Sequence, residues 1–380
     1  MKNRKIFYIF EGRFPSEKAA SLFAAKSCEA FVKLGYELVV LVPRRLGRAE
    51  QNYKDYYKIS TDFPVKFLPT IDLFNIPVLS HIAFTVSLFT FSISTFFYLL
   101  FTKKSKDIAY SNAIVPLYFA SLTGAPAFYE VHDFPEKKLF FYRHMLHRIK
   151  WILSTNQWKK DKLKEILGLR AEKILVEPNA VELESFGKEM TKVEARAHLS
   201  LPDDKPIVLY TGHLYGWKGV DTLAQAAKFI PNANIYFVGG TKEDSERFLK
   251  EYGDTPNICL IGHRPHTEIP YWQSAADILV LPNTAKEKIS AFYTSPMKLF
   301  EYMASRRPIV ASDLPSIRQI TGDDTAVLCE ADNPRALADS IVRTLGDSEL
   351  CDKVSRLAKE KVKEHTWEKR AQRITDFIYN

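Results

Sequence analysis

The stretch "SPMKLFEYMASRRPIVASD", residues 295–313, contains the start of a helix, the helix, a stop and a short apolar strand. Ser295 is a good N-cap residue, and Pro296 suits the first helical position. Lys298 then falls in the first turn, where the helix dipole disfavours a lysine by roughly 0.3–1 kcal/mol. An anion bound at this helix end removes that penalty; a solvated lysine, for which the penalty is negligible, is the alternative.

Short apolar strands and helix-length segments alternate along the rest of the chain. The predicted strands are "IFYIF" (6–10), "ELVVLV" (37–42), "DIAYS" (107–111), "AFYEV" (127–131), "WILST" (151–155), "IVLYT" (207–211), "NIYFVG" (234–239), "ICLIG" (258–262), "DILVLP" (277–282), "PIVAS" (308–312) and "AVLCE" (326–330). Continuous apolar strands between helices predict parallel sheets covered on both faces. The pattern occurs twice, with an irregular join near residues 183–206. The sequence therefore predicts an α/β protein with two Rossmann-like, doubly wound domains facing across a cleft, and ligands at the carboxyl ends of the strands.

Length and composition agree with two soluble domains, because 380 residues exceed one ordinary hydrophobic core. The four cysteines lie far apart and are predicted to be reduced, structural thiols of a cytoplasmic protein. A net charge of +8 favours an anionic partner. No nucleic-acid-binding pattern accompanies that charge, so no nucleic-acid partner is expected. The apolar run near the N-terminus is too short for a signal peptide.

Residues 82–101 form a run of twenty residues without a charge, followed by Lys103 and Lys104. The run is long enough to cross a bilayer, but six of its twenty residues are Ser or Thr. Three interpretations remain open: a transmembrane helix, a helix packed in the α/β core, and a helix with one face on a membrane surface.

A glycine-rich turn, "GHLYGWKGVDTL" at 212–223, follows one of the predicted strands. Glycines let backbone N–H groups approach a ligand, and Lys218 with the helix start beyond it suits phosphate. The turn is neither a Walker loop nor a G-x-G-x-x-G loop. An ordinary glycine-rich turn is the alternative. Glu301, three residues after Lys298, either pairs with that lysine or accepts hydrogen bonds from ligand hydroxyls.

These motifs together strongly resemble the nucleotide-sugar-dependent glycosyltransferases of the GT-B fold, in particular the large retaining family numbered four (glycosyl transferases group 1). The resemblance spans nearly the whole chain. It rests on "YTGHLYGWKGVDTLAQA" (210–226), "SPMKLFEYMASRRPIVASDLPSIRQI" (295–320), "AADILVLPN" (275–283), "VEPNAVELESF" (176–186), "YEVHD" (129–133), "PSEKAASLFAAKSCEAFVKLGYEL" (15–38) and "TWEKRAQRITDFI" (366–378).

The resemblance implies roles for individual residues. Lys218 matches the lysine that neutralises the donor diphosphate, Glu301 the glutamate that binds ribose hydroxyls, and His132 a histidine near the transferred sugar or acceptor. Lys218, His132 and Lys298 are the predicted catalytic residues. The loop 292–297 is expected to lay backbone amides against the donor. The other predicted donor-binding residues are Gly212, His213, Gly219, Tyr293, Thr294, Ser295, Pro296 and Met297, and the predicted acceptor-side residues are Gly12, Arg13 and Ser16.

The chain departs from the family pattern at two charged positions. The first glutamate of the family's E-x7-E signature falls eight residues before Glu301, where this chain has Tyr293. The arginine that usually follows the first glycine of the phosphate loop is here His213, which is at most partly charged at neutral pH. We expect Lys298 to restore the missing positive charge, which explains a lysine in the first turn of its helix.

The resemblance also implies the chemistry. The family transfers a sugar with retention of configuration, by same-face attack of the acceptor hydroxyl and without a protein nucleophile. No D-x-D motif occurs in the chain, and lysines with a helix dipole are expected to stabilise the leaving diphosphate in place of a metal. The H-x-x-H pairs at 144/147 and 263/266 are interpreted as surface or packing residues. No cofactor is expected beyond a UDP- or GDP-sugar co-substrate.

The predicted domains are 1–182 on the acceptor side, 183–364 on the donor side, and a C-terminal helix in 365–380 that returns to the N-terminal domain. The expected acceptor is a glycan or a lipid-linked molecule at the inner face of the cell membrane, with peripheral attachment through 82–101. Two other functions stay open: a nucleotide-sugar epimerase or phosphorylase, and a catalytically silent nucleotide-sugar-binding protein.

Overall fold

A computed structural model describes residues 4–16, 18–45, 52–74, 76–187 and 190–379. The chain divides into two compact units: Met1–Glu177 with Trp367–Asn380, and Pro178–Thr366. Each unit is built on a parallel sheet with helices between its strands. The predicted class, two doubly wound α/β domains, is therefore confirmed.

The first unit contains a seven-stranded sheet of order β3-β2-β1-β4-β5-β6-β7. Its strands are β1 (Lys5–Ile9), β2 (Glu37–Pro43), β3 (Val65–Leu68), β4 (Ile108–Ser111), β5 (Ala127–Val131), β6 (Trp151–Ser154) and β7 (Ile174–Val176). All neighbouring pairs are parallel. The two edge strands, β3 and β7, were not predicted. β3 carries a lysine among its four residues and β7 has only three residues, so neither gives the continuous apolar run of a central strand.

Helices connect these strands in a fixed pattern. They are α1 (Ala19–Lys33), α2 (Tyr53–Tyr57), α3 (Ser80–Thr102), α4 (Ile114–Leu122), α5 (Leu139–Arg148) and α6 (Gln157–Leu167). Helix α1 ends as its sequence indicates, because Gly35 has a φ of +85° and its N–H donates to the carbonyl of Val32 at 2.8 Å. Helix α3 forms the crossover from β3 to β4 and packs against α4.

The second unit contains a six-stranded parallel sheet of order β10-β9-β8-β11-β12-β13. Its strands are β8 (Ile207–Thr211), β9 (Asn234–Val238), β10 (Ile258–Gly262), β11 (Ile278–Leu281), β12 (Ile309–Ser312) and β13 (Val327–Cys329). The central strands β8 and β11 are buried throughout. All six were predicted to within one or two residues at either end, since strands buried on both faces are apolar throughout.

The helices of the second unit are α7 (Leu183–Phe186), α8 (Lys192–His198), α9 (Val220–Ala226), α10 (Lys242–Tyr252), α11 (Ile269–Ala275), α12 (Met297–Ala304), α13 (Pro315–Arg318), α14 (Pro334–Gly346) and α15 (Ser348–Val362). The irregular join predicted near 183–206 is wrong in part. That segment contains α7 and α8, and a capping box formed by Thr191 and Glu194 starts α8.

The last helix, α16 (Trp367–Tyr379), belongs to the first unit and packs against α1. Arg370 donates to the buried carboxylate of Glu130 at 2.5 Å, and Arg373 donates to Glu177 at 2.7 and 2.8 Å. Ion pairs, in addition to packing against α1, thus hold α16 on the first unit.

Candidate active site

The glycine-rich turn of the second unit lies between β8 and α9. Gly212 has a φ of +143°, and its N–H donates to the carbonyl of Val238 at 2.9 Å. Gly219 has a φ of +70°, and a Cβ there would lie 1.8 Å from the carbonyl oxygen of Pro282. Both positions therefore require glycine, which accounts for part of the motif by backbone geometry alone.

Lys218 ends the short 3-10 turn Gly216–Lys218 and is half-buried. Burial lowers the pKa of its ammonium group to about 7, and the nearby charge of Lys298 contributes in the same direction. An ammonium group in this state is stabilised by an anion, because a negative charge restores the favourable interactions that burial removes.

His213 occupies the place where the family pattern has an arginine. Its ring stacks on Tyr215, with 4.8 Å between the ring centroids. Desolvation lowers the pKa of His213, and the charges of Lys218 and Lys298 act in the same direction against the opposing charge of Asp244, which favours the neutral imidazole. The charge that the arginine would supply is absent from this position.

The loop before α12 differs from its prediction at Ser295. The helix begins at Met297, and its N-cap residue is Pro296 rather than Ser295. The Ser295 hydroxyl instead accepts a hydrogen bond from the Asn179 N–H at 3.0 Å, and the Ser295 carbonyl accepts one from Asn179 Nδ2 at 2.5 Å. The predicted N-cap is therefore wrong, because the Ser295 hydroxyl accepts a hydrogen bond from Asn179 and not from the N–H groups of α12.

A π-helical turn, Ile289–Tyr293, precedes this loop, and Thr294 closes it by donating to the carbonyl of Ile289 at 2.9 Å. Such turns are often found at functional sites. Tyr293 is buried in this turn, where the family pattern has its first glutamate. In the first turn of α12 the Leu299 N–H donates to the carbonyl of Pro296 at 3.0 Å, whereas helix geometry offers the two preceding N–H groups no acceptor within the helix. The predicted donor loop thus ends at a helix N-terminus.

Glu301 lies on α12, one turn after Lys298, and is buried. Its Oε2 is 2.9 Å from Lys298 Nζ, and its Oε1 is 3.5 Å from His266 Nε2. Although burial raises the pKa of this carboxyl, Lys298 and His266 lower it to about 2. The lysine is therefore paired rather than solvated, and only 25% of its side chain is exposed.

The roles of two further residues, one beside Glu301 and one beside Gly212, escaped the sequence interpretation. His266 was interpreted as a surface or packing residue; it is exposed, but its ring also faces Glu301. Gly239, after β9, has a φ of +126°, and a Cβ there would lie 2.2 Å from the carbonyl oxygen of Gly212. The pair Gly239-Gly240 directly after a strand was the signal that could have identified this contact.

The acceptor-side residues lie in the first unit, after β1. Ser16 is buried: its N–H donates to Tyr57 Oη at 2.6 Å, and its carbonyl accepts from the same hydroxyl at 2.8 Å. The side chain of Arg13 is exposed. A Cβ on Gly12 would lie 2.6 Å from the ring of Phe10. The loop is thus anchored through Ser16 and presents Arg13 to solvent.

His132 follows β5 in the same unit. Its Nε2 lies 3.1 Å from Oε1 of Glu130, and its ring meets the ring of Phe23 edge to face at 4.7 Å. Glu130 is fully buried and also binds Tyr110 and Arg370. Burial raises the pKa of Glu130, but Arg370 and His132 lower it to about 2. Glu130 therefore remains charged and lies within ion-pair distance of one nitrogen of the histidine.

The remaining histidines of the H-x-x-H pairs behave as predicted for surface residues. His144 is exposed, and its Nε2 lies 3.1 Å from the hydroxyl of Tyr118. His147 and His263 are also exposed. Across the described residues, no group of three or more His, Cys, Asp or Glu side chains is placed to hold a metal ion.

Comparison with known proteins covers both the sequence and the fold. Residues 205–347 match the family model described as "Glycosyl transferases group 1". Alpha-D-kanosaminyltransferase of Streptomyces kanamyceticus is 26% identical over 225 residues, which cover 57% of this chain and 56% of the relative. D-inositol 3-phosphate glycosyltransferase of Xylanimonas cellulosilytica is 25% identical over 240 residues, covering 59% and 55%. The chain thus spans about half the length of the curated relatives it matches.

Solved structures match this chain over nearly its whole length. The Anabaena protein Alr3699/HepE in complex with UDP and glucose has a TM-score of 0.76 and 17% identity, covering 99% of this chain and 100% of its own. Sucrose-phosphate synthase of Thermosynechococcus elongatus has a TM-score of 0.80 and 19% identity, covering 99% and 98%. At these identities the likeness concerns the fold, which is the GT-B fold predicted from the sequence.

Proposed function

We propose that the protein is a metal-independent, retaining glycosyltransferase that moves a sugar from a nucleotide-diphosphate sugar to a hydroxyl acceptor. The observation that carries the proposal is that Lys218, at the end of the glycine-rich turn, lies close enough to Lys298 for the two charges to interact, in the segment that matches the group 1 family model. The pKa of Lys218 is lowered to about 7, by burial first and by Lys298 second, which suits a group that receives a polyanion.

Charge development in the reaction explains why two lysines are useful. Cleavage of the sugar–phosphate bond increases the negative charge of the leaving diphosphate and leaves an oxocarbenium-like sugar. Lys218, Lys298 and the N-terminus of α12 would stabilise that charge as fixed electrostatic groups. The acceptor hydroxyl attacks the same face of the sugar from which the diphosphate leaves. The proton of that hydroxyl passes to the leaving phosphate, so no protein nucleophile is required.

Glu301 and His132 have distinct roles in this proposal. Glu301 stays ionised and accepts hydrogen bonds from the ribose hydroxyls of the donor. His132, whose Nε2 lies 3.1 Å from Glu130 Oε1, follows β5 and is proposed to contact the transferred sugar or the acceptor. A UDP-sugar is the first donor to test, because the Anabaena protein of the same fold was solved with UDP-glucose. We propose a cytoplasmic location and an acceptor of glycan or lipid-linked type.

Release of nucleotide from a panel of UDP-, GDP- and ADP-sugars, with and without acceptor lipids or glycans, tests the proposal. We expect nucleotide to be released from the sugars of one nucleotide class, and only when acceptor is present. NMR of the product should show the same anomeric configuration as in the donor sugar. Turnover without acceptor would instead indicate an epimerase, and a requirement for inorganic phosphate would indicate a phosphorylase.

A silent nucleotide-sugar-binding protein is the second candidate, and one observation favours it. Tyr293 replaces the first glutamate of the signature, and Glu301 already has an ionic partner 2.9 Å away. Such a protein would bind the donor in calorimetry and release no nucleotide with any acceptor.

A further inference from the structure

Helix α3 exposes large apolar side chains and buries several small or hydroxyl-bearing ones, which is the opposite of what is expected for a helix that packs on the sheet of a soluble protein. Every fourth residue along it is buried, and this stripe includes small or hydroxyl residues: Ala83, Ser87, Phe91, Thr95 and Leu99. Its exposed large residues are Ile82, Phe84, Phe89, Phe97, Leu100 and Phe101. Only 28% of the most apolar window of the helix is buried. The interpretation of 82–101 as a helix packed in the α/β core therefore holds for the buried stripe alone, because most residues of this window lie outside the core.

Several hydroxyl groups of α3 are satisfied by the helix itself, including those of Thr90 and Thr102 outside the buried stripe. Four Ser and Thr side chains donate to the carbonyl four residues earlier, at 2.6–2.8 Å: Thr90, Ser92, Thr95 and Thr102. A hydroxyl that already donates within its helix is compatible with an apolar environment.

The fold keeps α3 beside the sheet, so the helix cannot cross a bilayer while this unit is folded. It is the crossover between β3 and β4 and packs on α4. Ser94 Oγ donates to the carbonyl of Pro69 at 2.6 Å, and Ile71 N–H donates to Thr90 Oγ1 at 3.2 Å. One side of the helix is thus covered by protein along its length, and only the opposite side is available to an apolar partner.

The exposed apolar surface continues from α3 towards α5 across α4. The rings of Phe89 and Phe119 meet edge to face at 5.7 Å, and Tyr118 contacts His144 of α5. At the start of α5, Phe140 and Phe141 are 78% and 65% exposed. We call the exposed apolar side chains of α3 together with Phe140 and Phe141 the apolar face.

The charges along these segments are positive. Residues 73–106 contain no Asp or Glu and include Lys103, Lys104 and Lys106. Residues 137–160 also contain no Asp or Glu, and the part from 137 to 150 includes Lys137, Lys138, Arg143, Arg148 and Lys150. Apolar side chains flanked by basic residues complement a layer of anionic headgroups over hydrocarbon.

We infer that the apolar face binds the surface of an anionic phospholipid bilayer, with α3 in the plane of the membrane and not across it. Aromatic side chains enter the boundary between headgroups and acyl chains, and the flanking lysines and arginines bind phosphate groups. A protein partner is less well matched, because the basic residues flank the apolar ones over two separate segments.

The apolar face borders the predicted acceptor side of the first unit. There, Phe84, Ser87, Leu88 and Phe91 of α3 lie beside Glu11 and Arg45. Glu11 adjoins Gly12 and Arg13, and its carbonyl accepts a hydrogen bond from Arg45 Nη2 at 3.1 Å. Membrane binding would therefore bring the acceptor-side loop to the lipid surface. The inference itself does not depend on glycosyl transfer, because binding is measured without donor or acceptor.

The full chain is tested by co-sedimentation with phosphatidylcholine vesicles and with vesicles that also contain phosphatidylglycerol, at low and high salt. The combined variant Phe84→Ser, Phe97→Ser, Phe101→Ser is compared with Val193→Ser, Leu249→Ser, Val342→Ser, which removes three exposed apolar side chains of the second unit. We expect the wild type and the control to bind anionic vesicles and to dissociate with salt. The partition coefficient of the α3 variant into anionic vesicles should be lower than that of the wild type by about tenfold or more.

A second measurement does not depend on removing apolar residues. In Phe101→Trp, lipids brominated on their acyl chains should quench the added tryptophan fluorescence, whereas in Leu249→Trp they should not. Equal vesicle binding by the α3 variant and the control would overturn the inference. So would a dimer in sedimentation velocity that the α3 variant abolishes, or wild-type protein that stays in membranes through a carbonate wash, which would indicate a span.

Discussion

Glu130 in the first unit and Glu301 in the second are buried carboxylates with the same electrostatic state and different partners. Burial raises the pKa of each, and neighbouring basic groups lower both to about 2. Each has a histidine nitrogen nearby, at 3.1 Å for Glu130 and 3.5 Å for Glu301. The pKa values alone would therefore assign the two residues the same role.

Glu130 and Glu301 differ in the basic residue that each one pairs with. Glu130 is held by Arg370, whose side chain is only 2% exposed and comes from the last helix of the chain. Glu301 is held by Lys298, a flexible side chain from the preceding turn of the same helix. A buried guanidinium cannot leave its partner without a large desolvation cost, whereas a partly exposed ammonium can turn to another anion. We therefore interpret Glu130 as a structural and orienting residue, and Glu301 as a residue free to exchange its partner for a ligand.

The largest effect is expected from Arg370→Met. The variant leaves the Glu130 carboxylate buried without its main partner, which should lower the free energy of unfolding by about 3–5 kcal/mol. Urea unfolding measures the change. Arg335→Met, which removes an exposed ion pair with Asp339, is the control and should lose no more than about 1 kcal/mol.

The pH dependence of this difference has a definite sign. The folded-state pKa of Glu130 is about 2, below its ordinary value of 4.5, so the stabilisation is present above pH 4.5 and is lost as the pH falls towards 2. The difference in the free energy of unfolding between wild type and Arg370→Met should therefore become smaller as the pH falls from 4.5 towards 2. A gap that stays constant, or an Arg370→Met variant as stable as Arg335→Met, would contradict the structural role of Glu130.

The same contrast explains what the sequence could reveal. Strands such as β5 and β8 were predicted at their observed bounds because burial on both faces requires continuous apolar residues. Lys218, Lys298 and Glu301 were identified because they lie in local motifs with recognisable spacing. The structure places the two residues of α12 in one ion pair, as the three-residue spacing allows. Their roles in transfer remain predictions.

Contacts between distant segments were not predictable. Glu130 and Arg370 are separated by 240 residues, and an acid inside an apolar strand was the only signal. Ser295 looked like an N-cap because its neighbours fit the local pattern, but Asn179, 116 residues away in the chain, binds its hydroxyl. The exposed aromatic side of α3 was also hidden, because composition does not tell which side of a helix meets the sheet.

On the donor side, Lys218→Ala is expected to lower kcat by about 10²–10³-fold, because the ammonium group stabilises charge that develops as the donor bond breaks. Lys228→Ala, which removes an exposed lysine of the same unit, is the control. Steady-state nucleotide release measures both. An unchanged rate in Lys218→Ala would remove this residue from the site.

Lys218 also gives a stability test with the opposite sign to that of Glu130. Its folded-state pKa is about 7 against an ordinary 10.5, so the charged form opposes folding. Lys218→Met should therefore raise Tm most below pH 7, and the gain should shrink as the pH rises towards 10.5. A gain that grows with pH would contradict the assigned pKa.

Glu301→Ala should weaken nucleotide binding roughly tenfold to a hundredfold, since ribose hydroxyls that donate to a carboxylate form bonds worth about 1.5–3 kcal/mol. The fold should survive, because Lys298 is partly exposed and can reach solvent. Titration calorimetry measures the affinity, and Glu301→Gln distinguishes loss of charge from loss of the side chain. Unchanged affinity for free nucleotide would reduce Glu301 to a structural partner of Lys298.

The smallest of these effects is expected from Lys298→Ala. Because Glu301 already lies 2.9 Å from Lys298 Nζ, part of its charge is neutralised, and turnover should fall about tenfold, equivalent to about 1.4 kcal/mol. If Lys298 replaces the charge missing at His213, adding His213→Arg to Lys298→Ala should recover part of the lost rate. His213→Arg alone should change the rate little, because the lysine is then still present. Normal turnover in Lys298→Ala would show that the lysine serves only its pair with Glu301, and that a neutral His213 is sufficient for the leaving diphosphate.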